Sequence, residues 1–325
     1  MRISLVTPAP PRSRNGNRNT ALRWAGFLRE LGHNVAVEQE WRSGSAELLI
    51  ALHARRSYES IRRYNALFPE RPVIVALTGT DLYRDIHENA DAQASLRIAS
   101  RLVVLQSLGA EALPRALRSK TRVIYQSASA IGSERPLASC FEVVVSGHLR
   151  DEKDPFRAVA ALSMLPAESR IRVTHIGGAM SRSMEVQAQL WMKREPRYRW
   201  LGELPRRRAL RVLSRARVMI ISSRMEGGAN VVGEALAAHV PVLASRIDGN
   251  VGMLGPHHPG YFELENEHAL ALLLDRAERD AIFYGRLRQS SISRAHLVTE
   301  ARERKALQRL IAECVRRPRR GKAAA

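Results

Sequence analysis

Short apolar runs of strand length recur along this chain, each followed by a segment of helical periodicity. This alternation constrains the fold more than any other feature. ISLVT (3–7) has the length and composition of a buried strand. The segment after it places Leu22, Ala25, Leu28 and Leu31 on one helical face and stops at Gly32. NVAVE (34–38), ELLIAL (47–52), a helix near 54–67, VIVAL (73–77), RLVVL (101–105) and RVIY (122–125) continue the series. Residues 127–139, SASAIGSERPLAS, are small, polar and rich in breakers, which marks a linker. The scheme then starts again with FEVVVSG (141–147), a helix near 155–165, IRVTHIGG (171–178) and a helix near 181–195. VMIISS (218–223), a helix over 229–238 and PVLAS (241–245) follow, and 265–315 reads as helical almost throughout. Strands alternating with helices build βαβ units around a parallel sheet. The expectation is α/β: one Rossmann-like domain over 1–130, a linker over 131–140, a second such domain over 141–295, a helix over 296–315, and a disordered basic tail over 316–325.

Length and composition agree with two domains. The chain has 325 residues and 45% hydrophobic content, enough for a core in each half. Its formal net charge is +20, and only five of its 52 basic residues are lysine. Such a surface suits nucleic acid, an anionic membrane face or small anionic substrates, and it also follows from an arginine-rich proteome alone. Nucleic acid fits poorly: no binding motif of that kind is present, and aromatics are 5% of the chain, few for base stacking. The two cysteines, Cys140 and Cys314, are far apart, and neither a CxxC nor a Cys/His metal spacing occurs. No run approaches the roughly 18–20 apolar residues of a membrane span, and MRISLVTPAP lacks a signal peptide's apolar stretch. A cytoplasmic protein without metal or cofactor is expected.

The segment MEGGANVVGEALAAHVPVLAS (225–245) carries the sharpest chemical signal. Glu226 follows the strand VMIISS, Gly227 and Gly228 allow a tight turn, and Ala229 and Asn230 stand where a helix begins, with Asn230 or a neighbour as its cap. Amide N–H groups at such a turn face the crevice at the strand's carboxyl end, where open α/β sheets bind ligands and where phosphate is attracted. Glu234 falls about one turn into the helix. Two carboxylates beside a phosphate cradle suit a ligand that carries both a diphosphate and hydroxyl groups, since carboxylates accept hydrogen bonds from hydroxyls. In the first half, the loop TPAPPRSRNGNRNT (7–20) has one glycine, Gly16, so no G-x-G-x-x-G dinucleotide fingerprint is present. Arg14, Asn17 and Arg18 in that loop are suited to an anion, and His53 ends the strand ELLIAL.

The spacing Glu226-x7-Glu234 followed by ALAAHVPVLAS resembles the donor-site signature of the GT-B glycosyltransferases of family 4. That resemblance implies two Rossmann-like domains with parallel sheets facing across a cleft that binds a nucleotide-sugar, and a C-terminal helix crossing back to the first domain. It implies that Glu226 contacts sugar hydroxyls and Glu234 the ribose, with Gly227, Gly228, Ala229 and Asn230 around the donor. SGHLRDEKDP (146–155) resembles the family's G-R-L-x-x-x-K pattern, so Lys153 falls on the lysine that neutralises the donor diphosphate. His148 stands where the family has arginine; Arg150 substitutes for it, or His148 itself donates to phosphate. A departing nucleoside diphosphate gathers charge that fixed cations stabilise. Gly16 falls in the loop that carries a glycine near the diphosphate. LTGTDLY (77–83) has Thr78 where family members have histidine, and Thr80 and Asp81 follow. The implied catalytic set is Glu226, Lys153 and Asp81; the implied acceptor groups are Arg14, Asn17, Arg18, His53, Thr80 and Asp81.

Within that family, TPAPPRSRNGNRNTALRWAGFLRELGH, ALHARRS, ALTGTDLYRDI and GHLRDEKDPFRA together resemble the selenosugar synthases. These join selenophosphate to the sugar of a UDP-sugar, UDP-N-acetylglucosamine or UDP-glucose, through a carbon–selenium bond. An ionised nucleophile needs no general base, which fits the missing histidine. A hydroxyl acceptor on a lipid, glycan or metabolite, and a non-enzymatic basic binding role, stand as alternatives. A membrane-bound acceptor has weak sequence support, because the helix at 17–31 carries only Arg18, Arg23 and Arg29.

Overall fold

The computed structural model describes the chain except residues 12, 14, 15, 130, 131, 133 and 316–325, and except the side chain of residue 315. Arg14 and the basic tail therefore lie outside the described residues. The chain divides into two compact units. The first comprises Met1–Tyr125 and the stretch from Ala301, and the second Gln126–Glu300.

The first unit is built on β1 (Arg2–Val6), β2 (Asn34–Glu38), β3 (Leu48–Leu52), β4 (Val73–Leu77), β5 (Arg101–Val104) and β6 (Thr121–Val123). Their order is β2-β1-β3-β4-β5-β6, and every pairing is parallel. All residues of β3 and β4 are buried. A parallel sheet covered by helices on both faces demands that, and it is why these strands read as unbroken apolar runs. The chain lays down β2 on one side of β1 and then β3 on the other, so direction reverses between β1 and β3.

The helix after β1 spans Gly16–Glu30 and buries Thr20, Ala21, Trp24, Ala25, Phe27 and Leu28. Its buried face thus differs from the expected one: Leu22 is 49% exposed. Ala21, Trp24, Ala25 and Leu28 follow the i, i+3, i+4, i+7 pattern, and Trp24 rather than Leu22 sets the face. The helix Glu300–Val315 covers the same region, burying Leu307, Leu310 and Ile311 against Trp24, Leu28 and the sheet. Fully buried Glu303 accepts a hydrogen bond from Trp24 Nε1 at 2.7 Å and pairs with Arg23 at 2.9 Å. Arg29 spends its guanidinium on the carbonyl of Val35. Arg23 and Arg29, in a helix considered for membrane contact, are therefore engaged within the unit. Among the described residues no helix is long and apolar enough to cross a membrane.

The second unit repeats the plan with β7 (Phe141–Ser146), β8 (Ile171–Ile176), β9 (Tyr198–Trp200), β10 (Val218–Ile221), β11 (Val242–Ser245) and β12 (Tyr261–Phe262). The order is β12-β11-β10-β7-β8-β9, again all parallel. β9 and β12 were absent from the sequence reading, since three and two residues are too few to show a period. The helix Arg206–Arg215, between β9 and β10, was also missed, because arginine fills most of its exposed positions. Here the reversal falls between β7 and β10, whose Val143 and Val218 are in register. The carboxyl end of such a pair is where a doubly wound sheet binds ligands. The loops leaving β7 and β10 thereby become neighbours although some 70 residues of sequence separate them.

Candidate functional site

The loop after β7 runs through Gly147, His148 and Arg150 into a short 3-10 turn, Asp151–Lys153, and ends at Asp154 with a left-handed φ of 43°. The loop after β10 runs from Ser222 to Ala229. Several contacts join the two. Ser222 Oγ donates to the carbonyl of Asp154 at 2.8 Å, and the Arg224 amide donates to the carbonyl of Glu152 at 2.9 Å. The Arg224 guanidinium donates to the carbonyl of Asp151. Lys153 Nζ reaches Glu226 Oε1 at 2.5 Å. Ser223 Oγ donates to that same Oε1 at 2.5 Å. One carboxylate oxygen is thus fully used, and Glu226 Oε2 makes no hydrogen bond among the described residues. The Lys153 side chain is 20% exposed and that of Glu226 9%, so the clasp is largely buried.

Residues packed behind these loops fix the backbone of both. His175, in β8, is buried; its Nε2 lies 3.2 Å from the carbonyl of Gly147 and its Nδ1 3.0 Å from Tyr198 Oη. Burial drives its pKa down to about 4 against the smaller opposing effect of that carbonyl, so the ring is neutral and Nε2–H donates to Gly147. Gly177, with a φ of 145°, packs so closely that a Cβ there would stand 2.0 Å from the Gly147 oxygen. The Gly178 amide donates to His148 Nδ1 at 3.2 Å, which leaves the His148 proton on Nε2. Behind Glu226, Gly249 of the helix Asp248–Leu254 is in similar contact: a Cβ would lie 2.0 Å from the Glu226 oxygen. Ser245 Oγ donates to the carbonyl of Ser223 at 2.6 Å, and the Asn250 amide holds the Ser245 carbonyl at 2.9 Å.

Other expected donor residues take different positions. Gly227, Gly228 and Ala229 form the turn into the helix Asn230–Ala237. The cap position is Ala229, and no side chain caps this helix. Asn230 is therefore its first residue and not the cap, because the turn brings Ala229 to the boundary. Glu234, whose side chain is 14% exposed, pairs with Arg206 at 3.3 Å and does not join the Lys153–Glu226 clasp. Arg150 is exposed and lies 4.0 Å from Glu152.

In the first unit, His53, Thr80 and Asp81 come together where β3 and β4 end. His53 holds a left-handed φ of 75°, a strained backbone for histidine. Its Nδ1 accepts the Arg56 amide at 3.3 Å and its Nε2 faces Thr80 Oγ1 at 3.2 Å. Burial lowers its pKa, with Asp81 and Asp85 opposing. Asp81 has no exposed surface, and its carboxylate accepts backbone N–H groups from Ala54, Thr78 and Gly79 at 2.9, 2.8 and 2.9 Å. Its oxygens hold two loops in shape. Asp85 pairs with Arg55 at 3.0 Å. Gly16, Asn17 and Arg18 form the first turn of the helix that follows β1.

A pair of six-stranded parallel sheets, each wound with helices, is the architecture of the GT-B fold. The sequence profile of the group 1 glycosyl transferases matches residues 139–303, and the chain belongs to that family. No curated protein matches the chain. Solved structures with the same fold include HepE of Anabaena in complex with UDP-glucose, at 13% identity and a TM-score of 0.77 over 96% of this chain and 100% of that one. Sucrose-phosphate synthase of Thermosynechococcus elongatus aligns at 16% identity and a TM-score of 0.78 over 96% and 98%. An Escherichia coli trehalose-6-phosphate protein bound with UDP-2-fluoro glucose aligns at 11% and 0.74 over 98% and 100%. Membership of an enzyme family replaces the alternative of a non-enzymatic basic binder.

His175, Gly177, Ser223, Ser245, Gly249, Asn250 and Arg206 were not singled out from sequence. A pair of glycines closing a strand, as in IRVTHIGG, was the one local signal available for Gly177.

Proposed function

We propose that this glycosyltransferase takes a sugar from UDP-N-acetylglucosamine or UDP-glucose and transfers it to selenophosphate. The Lys153–Glu226 clasp carries the donor half of this reading. Lys153 turns from Glu226 Oε1 to a diphosphate oxygen, and Glu226 Oε2 accepts a sugar hydroxyl. The backbone of Gly227, Gly228, Ala229 and Asn230 borders the diphosphate, with His148 Nε2–H and Arg150 as further donors. Glu234, steadied by Arg206, takes the ribose. The bond from the anomeric carbon to the UDP oxygen breaks, and its electron pair leaves with UDP. Selenium supplies the pair for the new carbon–selenium bond. Lys153 lowers the energy of the charge that collects on UDP. HepE and the Escherichia coli protein in their UDP-sugar complexes support a UDP-linked donor.

The acceptor half rests on the sequence segments that resemble selenosugar synthases and on one structural feature. In the described loops after β1, β3 and β4, the acids Asp81 and Asp85 are buried and engaged, while Arg55 and Arg56 reach solvent. A hydroxyl acceptor needs a base to remove its proton; selenophosphate arrives ionised and needs cations, which Arg18, Arg55 and Arg56 supply with Asn17, His53 and Thr80. Asp81 positions these loops. Mass spectrometry of the purified protein with each UDP-sugar, with and without selenophosphate, tests the reading. Selenophosphate-dependent release of UDP with a selenium-bearing sugar is expected. Release of UDP onto a hydroxyl acceptor, with no selenium product, overturns the acceptor and keeps the donor.

A further inference from the structure

Away from the loops after β7 and β10, the second unit holds a pocket of about 290 Å³ lined by Arg199, Leu201, Arg208, Arg211, Val212 and Arg215. Arg199 comes from β9. Arg208, Arg211 and Arg215 come from the helix Arg206–Arg215, where spacings of three and four align them on one face. Leu201 and Val212 give the pocket an apolar part. One arm is fixed: Arg215 makes two hydrogen bonds, of 2.7 and 3.0 Å, to Glu142, a carboxylate only 3% exposed that also accepts Thr174 Oγ1 at 2.9 Å. Arg211 lies 3.4 Å from Glu134. Arg199 and Arg208 have no carboxylate partner among the described residues. Four guanidiniums facing two carboxylates leave two positive charges unbalanced in a concave site.

An arginine-rich surface ordinarily spreads its charge over convex, solvated faces. Here the guanidiniums converge and one is held from beneath, which is the preorganisation a fork-shaped donor needs to grip phosphate oxygens. The volume sits at the small end of ligand sites, near about 300 Å³. We infer that this pocket is a second anion site that takes the doubly charged phosphate group of a small phosphorylated molecule or of a lipid headgroup, separately from any ligand on the Lys153–Glu226 loops.

The test is calorimetric titration of inorganic pyrophosphate at physiological salt into the full chain already saturated with UDP, beside the double variant R199Q/R208Q. UDP binding is read in the first stage of the same titration, so a failure of the donor-site reading shows separately. Pyrophosphate should bind the UDP-saturated wild type and bind the double variant about tenfold or more weakly, the effect of losing charge-assisted hydrogen bonds. Flotation with phosphatidic acid vesicles against phosphatidylcholine vesicles then separates the two sources. Retention on the acidic vesicles that pyrophosphate displaces and R199Q/R208Q abolishes assigns a headgroup; no retention assigns a soluble phosphate ester. No pyrophosphate binding beyond UDP, or equal affinity in the double variant, overturns the inference. Melting temperatures of both proteins confirm that the comparison is between folded chains.

Discussion

Gly249→Ala tests whether close packing behind Glu226 sets the geometry of the clasp. A Cβ at Gly249 would stand 2.0 Å from the Glu226 carbonyl oxygen, and 2.8 Å from both its carbonyl carbon and its Cβ. Separations below 3.0 Å do not persist, so the two backbones must part by about 1 Å. Neither side yields easily. Gly249 sits in a helix with Asn250 fully buried beside it, and the loop carrying Glu226 is tied through Ser223 to Ser245. Overpacking of this kind costs about 1–3 kcal/mol of stability. A displacement of about 1 Å at a substrate-holding carboxylate costs about 100-fold in rate. The loss should appear mainly in kcat for UDP release, with a smaller fall in Tm. Gly26→Ala is the control, since a Cβ at Gly26 meets nothing within 4 Å inside the helix Gly16–Glu30. It should leave turnover intact and stabilise by about 0.4–1 kcal/mol. Full activity and an unchanged Tm in Gly249→Ala would refute the argument that this contact positions Glu226.

Replacing Glu226 by Ala should lower kcat/KM for the UDP-sugar by about 10- to 100-fold, the worth of one or two charge-assisted hydrogen bonds, while circular dichroism stays native; near wild-type turnover would remove Glu226 from the site. Glu303→Ala leaves Arg23 and the Trp24 N–H without their buried acceptor, and urea unfolding should show about 3–5 kcal/mol of destabilisation in the first unit. His175 and His258 are both held near a pKa of about 4 by burial, against 6.5 when free, so only the unfolded chain takes up their protons within that window. Their contribution is complete above about pH 6.5 and declines as pH falls towards 4, by about 1.4 kcal/mol per pH unit for each ring. Denaturant titrations at stepped pH should show that slope, and His258→Gln should reduce it.

Much of the architecture was legible in order along the chain. Strands such as VIVAL and FEVVVSG must be buried on both faces, and only a helix-covered parallel sheet hides them, so α/β alternation followed from composition and spacing alone. Glu226 was also legible, because it stands just past such a strand, where a sheet opens to ligands, while Lys153 was indicated by the resemblance of SGHLRDEKDP to a family pattern. Other features depend on residues remote in sequence. Strand order put the loops after β7 and β10 side by side, and only that makes Lys153 and Glu226 a pair. The resemblance implies a catalytic role for Asp81, yet three amides from two loops occupy its carboxylate. Glu234 reads as the partner of Glu226, yet it faces Arg206 from a helix that periodicity did not reveal. His175 and Gly249 carry no local signal of a role, and it is contact with Gly147 and Glu226 that ties them to the site. Periodicity and turn chemistry are local properties and can be read residue by residue. Which backbone fills the space beside a glycine, and which carboxylate a given cation meets, is decided by packing between segments that the sequence holds far apart.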